Sequence, residues 1–160
     1  MDVRSVIEVI GIAVLPIFEL RGAIPYAIGV HDFPWQYAFL FGVIGNLLPV
    51  PFILLFLNTA VRLLSKIRFM ERLLEWFFAL TRRRGRLVER YERLGLALFV
   101  AIPLPITGAW TGSILAVLLG LKPRTAFISI VAGVLVAGVI VTCATVLGWA
   151  IADVFTTPVE

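Results

Sequence analysis

Pro16-Ile17-Phe18-Glu19-Leu20-Arg21-Gly22-Ala23-Ile24-Pro25 lies inside an apolar block, residues 3–30, that is otherwise long enough to cross a bilayer. An ionised side chain in a membrane interior costs roughly 2.5–3.5 kcal/mol on insertion scales. Two opposite charges between two prolines therefore mark a break in a spanning helix, a functional site, or both. Three further apolar blocks cover 35–61, 94–121 and 125–152. Each reaches the ~20 residues that a helix needs to cross the hydrocarbon core. The 160 residues are 61% hydrophobic and the mean hydropathy is +1.03, above the roughly half-apolar composition of soluble domains. Asp2 and Arg4 open the first block, which lacks a basic leader and a small-residue cleavage site, so it reads as mature structure rather than a removable signal.

The composition also narrows the chemistry. His31 is the only histidine and Cys143 the only cysteine, too few for a metal site or an internal disulfide. No nucleophile elbow, P-loop or dinucleotide fingerprint is present. The expectation is no metal, no cofactor and no enzymatic activity. The net charge of +4 is read as a topology signal and an attraction to anionic membrane lipids, not as a nucleic-acid surface.

Ten of the 14 Lys and Arg residues fall between Arg62 and Arg93, which by the positive-inside rule puts that segment in the cytoplasm. Ile67, Met70, Leu73, Leu74, Phe77 and Phe78 recur at helical spacing among Arg68, Glu71, Arg72 and Glu75. That pattern predicts an amphipathic helix in the membrane interface. Arg68, Arg72, Arg82, Arg83, Arg84 and Arg86 are the residues expected to meet lipid headgroups, or else simply to set orientation. After Gly85 a second helix is predicted through Tyr91 to Gly95, with Glu89 and Arg93 one turn apart.

The remaining charges decide between two topologies. Four plain spans would place Lys122 and Arg124 outside. If the first and third blocks instead enter and return on one side, Lys122 and Arg124 join the arginines inside. The outside then holds both termini, Glu8 and His31-Asp32, and Trp35 and Trp149 fall at the outer ends of the two true spans. The second topology accounts for more residues. Proline and glycine at the centre of both blocks support it, since such breaks are tolerated at membrane depth only where protein or water satisfies the backbone.

An internal repeat follows. Residues 3–61 and 94–152 each read as a broken hairpin, a short proline-containing loop and a spanning helix, joined by the basic connector 62–93 in a single membrane domain. A hairpin plus one crossing is an odd number of crossings, so the halves are inverted. The fold class expected is an all-α integral membrane protein of two inverted repeats, each a re-entrant helical hairpin plus a transmembrane helix. So small a chain encloses little volume, and a homodimer or larger assembly is expected.

The candidate site residues sit at the two hairpin tips and beside a third break. Glu19 and Arg21 offer a carboxylate, whose proton affinity rises with desolvation and falls beside a guanidinium. The pair could couple protons, Arg21 could hold an anionic headgroup, or both could stitch the tips together. Pro25 closes the first tip. In the second, Pro103 and Pro105 precede Thr107, Gly108, Trp110, Thr111 and Ser113, which supply hydroxyls, a helix start and close packing. Asn46 precedes Pro49-Val50-Pro51 and either satisfies freed carbonyls or lines a pathway.

The two tips, Pro16 to Pro25 and Pro103-Leu104-Pro105-Ile106-Thr107-Gly108-Ala109-Trp110-Thr111-Gly112-Ser113, resemble the paired signatures of the small multidrug export family over nearly the whole chain. That family is in turn regarded as distantly similar to DedA-type (VTT-domain) membrane proteins, which are linked to lipid translocation. The resemblance implies roles for Glu19, Arg21 and Pro25 in one tip and Pro105, Thr107, Gly108 and Trp110 in the other. Ile106 departs from the glycine expected there and makes this tip bulkier. The function expected is a small exporter, proton-coupled through Glu19, with its site between the tips. The alternatives are a lipid scramblase or polyprenyl-phosphate carrier, and a non-transporting scaffold.

Overall fold

The computed structural model describes the backbone of residues 2–64, 85–104 and 107–156, and side chains over 2–57, 93–104 and 107–151. All regular structure in this set is helical: α1 Val3–Val14, α2 Glu19–Gly29, α3 Trp35–Leu47, α4 Val50–Leu64, α5 Gly85–Ala101, α6 Ala109–Leu118 and α7 Pro123–Thr156. Two stretches are long and apolar enough to cross a membrane, Trp35–Leu57 and Pro123–Ile151. The first comprises α3 and the start of α4, interrupted at Leu48-Pro49, where the Ile53 N–H reaches the Pro49 carbonyl at 3.0 Å. The amphipathic helix predicted over 67–78 lies outside the described residues.

The chain forms two compact units, residues 1–46 with 135–160, and residues 47–134. In the first, α1 and α2 form an antiparallel pair. Glu8, six residues before the end of α1, meets Tyr26, seven residues into α2. The pair packs on α3 through glycines. A Cβ on Gly45 would lie 2.6 Å from the Ala13 Cβ and 2.8 Å from the Ile10 carbonyl oxygen, and one on Gly42 would lie 3.0 Å from Ile24. Small residues let helix backbones approach this closely, and the contact surface they create is dispersion-rich. From the other side, Trp149 of α7 covers Gly29, and Phe39 of α3 covers Gly138 of α7.

The second unit repeats this logic with different residues. The α5 and α6 helices close on each other where Val100 fills the space over Gly112. The early part of α7 lies against α5, where a Cβ on Gly133 would stand 2.6 Å from the Ala97 carbonyl oxygen. The α4 helix packs on α6. Leu54, Leu96, Val100 and Ile130 are the large side chains at the centre. Around both units Phe52, Phe56, Ile128, Val139 and Leu147 project outward. Such a display suits a hydrocarbon surrounding.

Two local expectations are corrected. Both Pro16 and Pro25 were candidates for a break, but α2 continues through Pro25. Only the single N–H that would reach the Arg21 carbonyl is lost, and Ala23, Ile24 and Ala27 are fully buried around it, so packing holds the segment helical. Likewise no separate helix ends at Gly95, because α5 runs unbroken from Gly85 to Ala101. One interior glycine costs about 1 kcal/mol, too little to end a 17-residue helix.

Candidate functional site

In the first unit the turn between α1 and α2 is built by residues 15–18. The Leu15 N–H reaches the Ile12 carbonyl at 3.2 Å, and the Glu19 N–H reaches the Leu15 carbonyl at 3.0 Å. Pro16 has no N–H to extend α1, which ends at Val14. Phe18 then folds over Gly22, where a Cβ would meet the Phe18 Cβ at 2.8 Å. The glycine therefore makes room for an aromatic ring. The backbone reversal itself falls on Glu19, whose φ is +46°. That left-handed conformation costs an L-residue about 1–2 kcal/mol.

Glu19 is also buried, with 5% of its surface exposed. A left-handed backbone at a non-glycine residue carries a cost, and such strain gathers at functional positions. Arg21 is half-buried and, among the described residues, has no ion pair or hydrogen bond. The two charges are thus not a mutual clamp. Pro25 stands one turn further along α2.

Asn46, near the end of α3, is 1% exposed. Its Oδ1 finds no donor, although a buried carbonyl without a partner typically costs about 1–3 kcal/mol. It adjoins Gly45, where a Cβ would lie 2.6 Å from the Ala13 Cβ of α1. The structure therefore places Glu19, Arg21, Pro25 and Asn46 in one unit, with an uncompensated acceptor in its core.

The second tip lies in the other unit and is tied by its own hydroxyls. Thr107 Oγ1 accepts the Leu104 N–H at 3.1 Å and donates to the Ile102 carbonyl, while the Thr107 N–H reaches the Leu104 carbonyl at 3.1 Å. Thr111 Oγ1 lies 3.4 Å from the Gly108 carbonyl, and Ser113 donates to Ala109 at 2.6 Å. Each hydroxyl has one proton, and these are spent on the tip's own backbone. Gly108 precedes α6 without a side-chain cap, Trp110 lies in its first turn and Pro103 in the preceding loop. Pro105 and Ile106 lie outside the described residues, as do Arg68, Arg72, Arg82, Arg83 and Arg84. Arg86 lies on α5 without a described side chain.

Two features escaped sequence reasoning. Trp35, Phe39, Val139, Thr142, Cys143 and Val146 line an apolar groove of about 470 Å³ between α3 and the later part of α7. Thr142 is buried and its Oγ1 has no partner. Helical spacing on each helix could have suggested its walls, but not that they face each other. The second is a polar cluster at the open end of the α1–α2 pair. Glu8 Oε1 accepts from Arg4 Nε at 3.1 Å, while Oε2 lies 3.3 Å from the Tyr26 hydroxyl and 3.1 Å from His31 Nε2. The Arg4 bond, aided by those from His31 and Tyr26 and opposed by partial desolvation, holds the Glu8 carboxyl below its ordinary value. Contacts 18 and 23 residues apart leave no local trace in a sequence.

Two long apolar helical stretches and outward-facing apolar side chains among the described residues are together consistent with a helical membrane protein. Residues 19–140 match the family described as "Putative small multi-drug export protein", and the chain belongs to that family. No curated protein and no solved structure matches it.

Proposed function

We propose that the protein is a proton-coupled exporter of small molecules in the cell membrane, in which Glu19 carries the coupling proton. The observation behind this reading is Glu19 itself, buried and held at φ +46° where any glycine would sit without strain. A purely structural turn has no need of a carboxyl there, whereas a carboxyl that binds and releases a proton must sit where its charge is costly. Arg21, Pro25 and Asn46 complete the site on the same unit. Asn46 Oδ1 supplies an acceptor for a donor group on cargo or water.

In this reading the α1–α2 and α5–α6 pairs are re-entrant, and the halves 3–61 and 94–152 are inverted repeats around the connector 62–93. The composition of the units supports it. One contains the first pair with the start of the first long apolar stretch and the end of the second, and the other contains the second pair with the complementary pieces. Exchange of the two halves maps one unit's inventory onto the other's. The connector is then cytoplasmic, both termini lie outside, and two copies form the working assembly. The chain acts as a carrier and not as an enzyme.

The decisive experiment is proton-driven efflux from reconstituted vesicles. Glu19→Gln keeps the shape and removes the titrating group, so efflux loses its dependence on the proton gradient. Unchanged gradient dependence in that variant defeats the proposal. A C-terminal reporter tests the topology independently, since activity in the cytoplasm restores four plain spans. A second reading, a carrier of lipid phosphates, is favoured by Arg21, a half-buried guanidinium with no ion pair among the described residues. Lipid flipping without an ion gradient, damaged more by Arg21→Ala than by Glu19→Gln, selects it.

A further inference from the structure

The polar cluster at the open end of the α1–α2 pair plays no part in the proposal above. It joins three elements that the chain connects only through turns: Arg4 and Glu8 of α1, Tyr26 of α2, and His31 of the loop before α3. We propose that Glu8, Tyr26 and His31 form a proton-binding site that latches the α2–α3 loop onto α1, with the imidazole as the group that takes up the proton.

Hydrogen-bond bookkeeping leads to this assignment. An ionised carboxylate only accepts, so both groups that meet Glu8 Oε2 must donate to it. Tyr26 gives its hydroxyl proton at 3.3 Å. His31 must then carry hydrogen on Nε2, 3.1 Å away, and Nδ1 is left as the basic nitrogen. A proton gained at Nδ1 turns the Nε2 contact from a neutral donor bond into an ion pair, and charge-assisted bonds are roughly twice as strong as neutral ones. Imidazole is the side chain suited to such a change between about pH 5 and pH 8.

The surroundings favour a latch over a mere surface contact. The ring meets Tyr26 edge to face at 5.1 Å and Phe33 at 5.8 Å, while Phe33 in turn touches Phe41 of α3. The aromatic walls fix the orientation of the imidazole. Among the described residues, the other ionisable groups nearby are Arg4, which engages Glu8 Oε1 instead, Asp32 in the same loop, and Tyr37 at the start of α3, stacked on Phe41. Asp32 has a φ of +52°, and its left-handed turn directs the chain from His31 into α3. Among the described residues, Glu8 is the carboxylate in contact with the imidazole.

The test uses the full chain in lipid nanodiscs, with spin labels on cysteines introduced at Val3 and Val30, which are 73% and 60% exposed. Cys143 is replaced by serine so that no native thiol is labelled. The ratio of short to long separations rises several-fold as pH falls from about 8 to about 5, the direction linkage gives when closure strengthens a charge-assisted bond to the proton's site. His31→Gln and Glu8→Gln abolish that response, whereas Asp32→Asn preserves it. Because His31 is the sole histidine, isotope-labelled histidine reads the tautomer in the unmodified protein, and hydrogen on Nε2 is expected above about pH 8. A separation that ignores pH, a response that survives either the His31 or the Glu8 substitution, or a ring protonated on Nδ1 alone overturns the proposal.

Discussion

Glu19→Gly and Glu19→Ala, compared with each other, isolate the backbone at the first tip from its side chain. Both variants lose the carboxyl and everything it touches, so those losses cancel in the difference. What remains is the cost of φ +46°, about 1–2 kcal/mol for an L-residue and none for glycine. Against it stands the extra freedom that glycine releases on unfolding, about 0.4–1 kcal/mol. The glycine variant should therefore be the more stable by about 1 kcal/mol, a roughly fivefold change in the folded-to-unfolded ratio. Detergent-titrated unfolding in bicelles, followed by the fluorescence of the four tryptophans, resolves a difference of that size. Neither variant should export in response to a proton gradient. An alanine variant as stable as the glycine one refutes the strained turn, and with it the argument that a carboxyl is kept there at a cost.

Four other outcomes are expected from the packing and the charges. Gly45→Ala pushes a methyl group to 2.8 Å from the Ile10 carbonyl oxygen, backbone that cannot yield, and should cost about 1–3 kcal/mol. Gly11→Ala, with nothing within 4 Å, should stabilise by up to about 1 kcal/mol in the same unfolding assay. Asn46→Leu removes a buried acceptor without a donor, so stability should hold or rise by about 1 kcal/mol while efflux falls; a large destabilisation would instead show that the amide is structural. Glu8, with its carboxyl held below the ordinary value of 4.5 chiefly by Arg4, supports the α1–α2 pairing above that pH and loses this support as pH falls through its lowered folded value. Arg4→Gln should move that loss to higher pH, read as earlier amide exchange in α1.

The residues themselves explain which parts could be foreseen. The two long apolar stretches and the breaks at Pro16 and Pro103 are local properties, set by side-chain hydropathy and by a missing N–H, and any tertiary arrangement must respect them. The continuation of α2 through Pro25 was not foreseeable, because the burial of Ala23, Ile24 and Ala27 beside it offsets one lost hydrogen bond. The location of the reversal was equally hidden. Gly22 looked like the flexible position, but it accommodates Phe18 while Glu19 takes the left-handed turn.

The sequence by itself determined an all-helical, membrane-type chain, its family, and the importance of Glu19, since an acidic side chain in an apolar run is anomalous wherever the run is placed. Only the tertiary structure decided that Glu19 and Arg21 do not pair, that Asn46 is buried without a donor, and that Glu8 reaches Tyr26 and His31. Those outcomes depend on which helix faces meet, and helix periodicity specifies a face without specifying its partner. Close approach at glycines such as Gly42 and Gly45 makes that choice here.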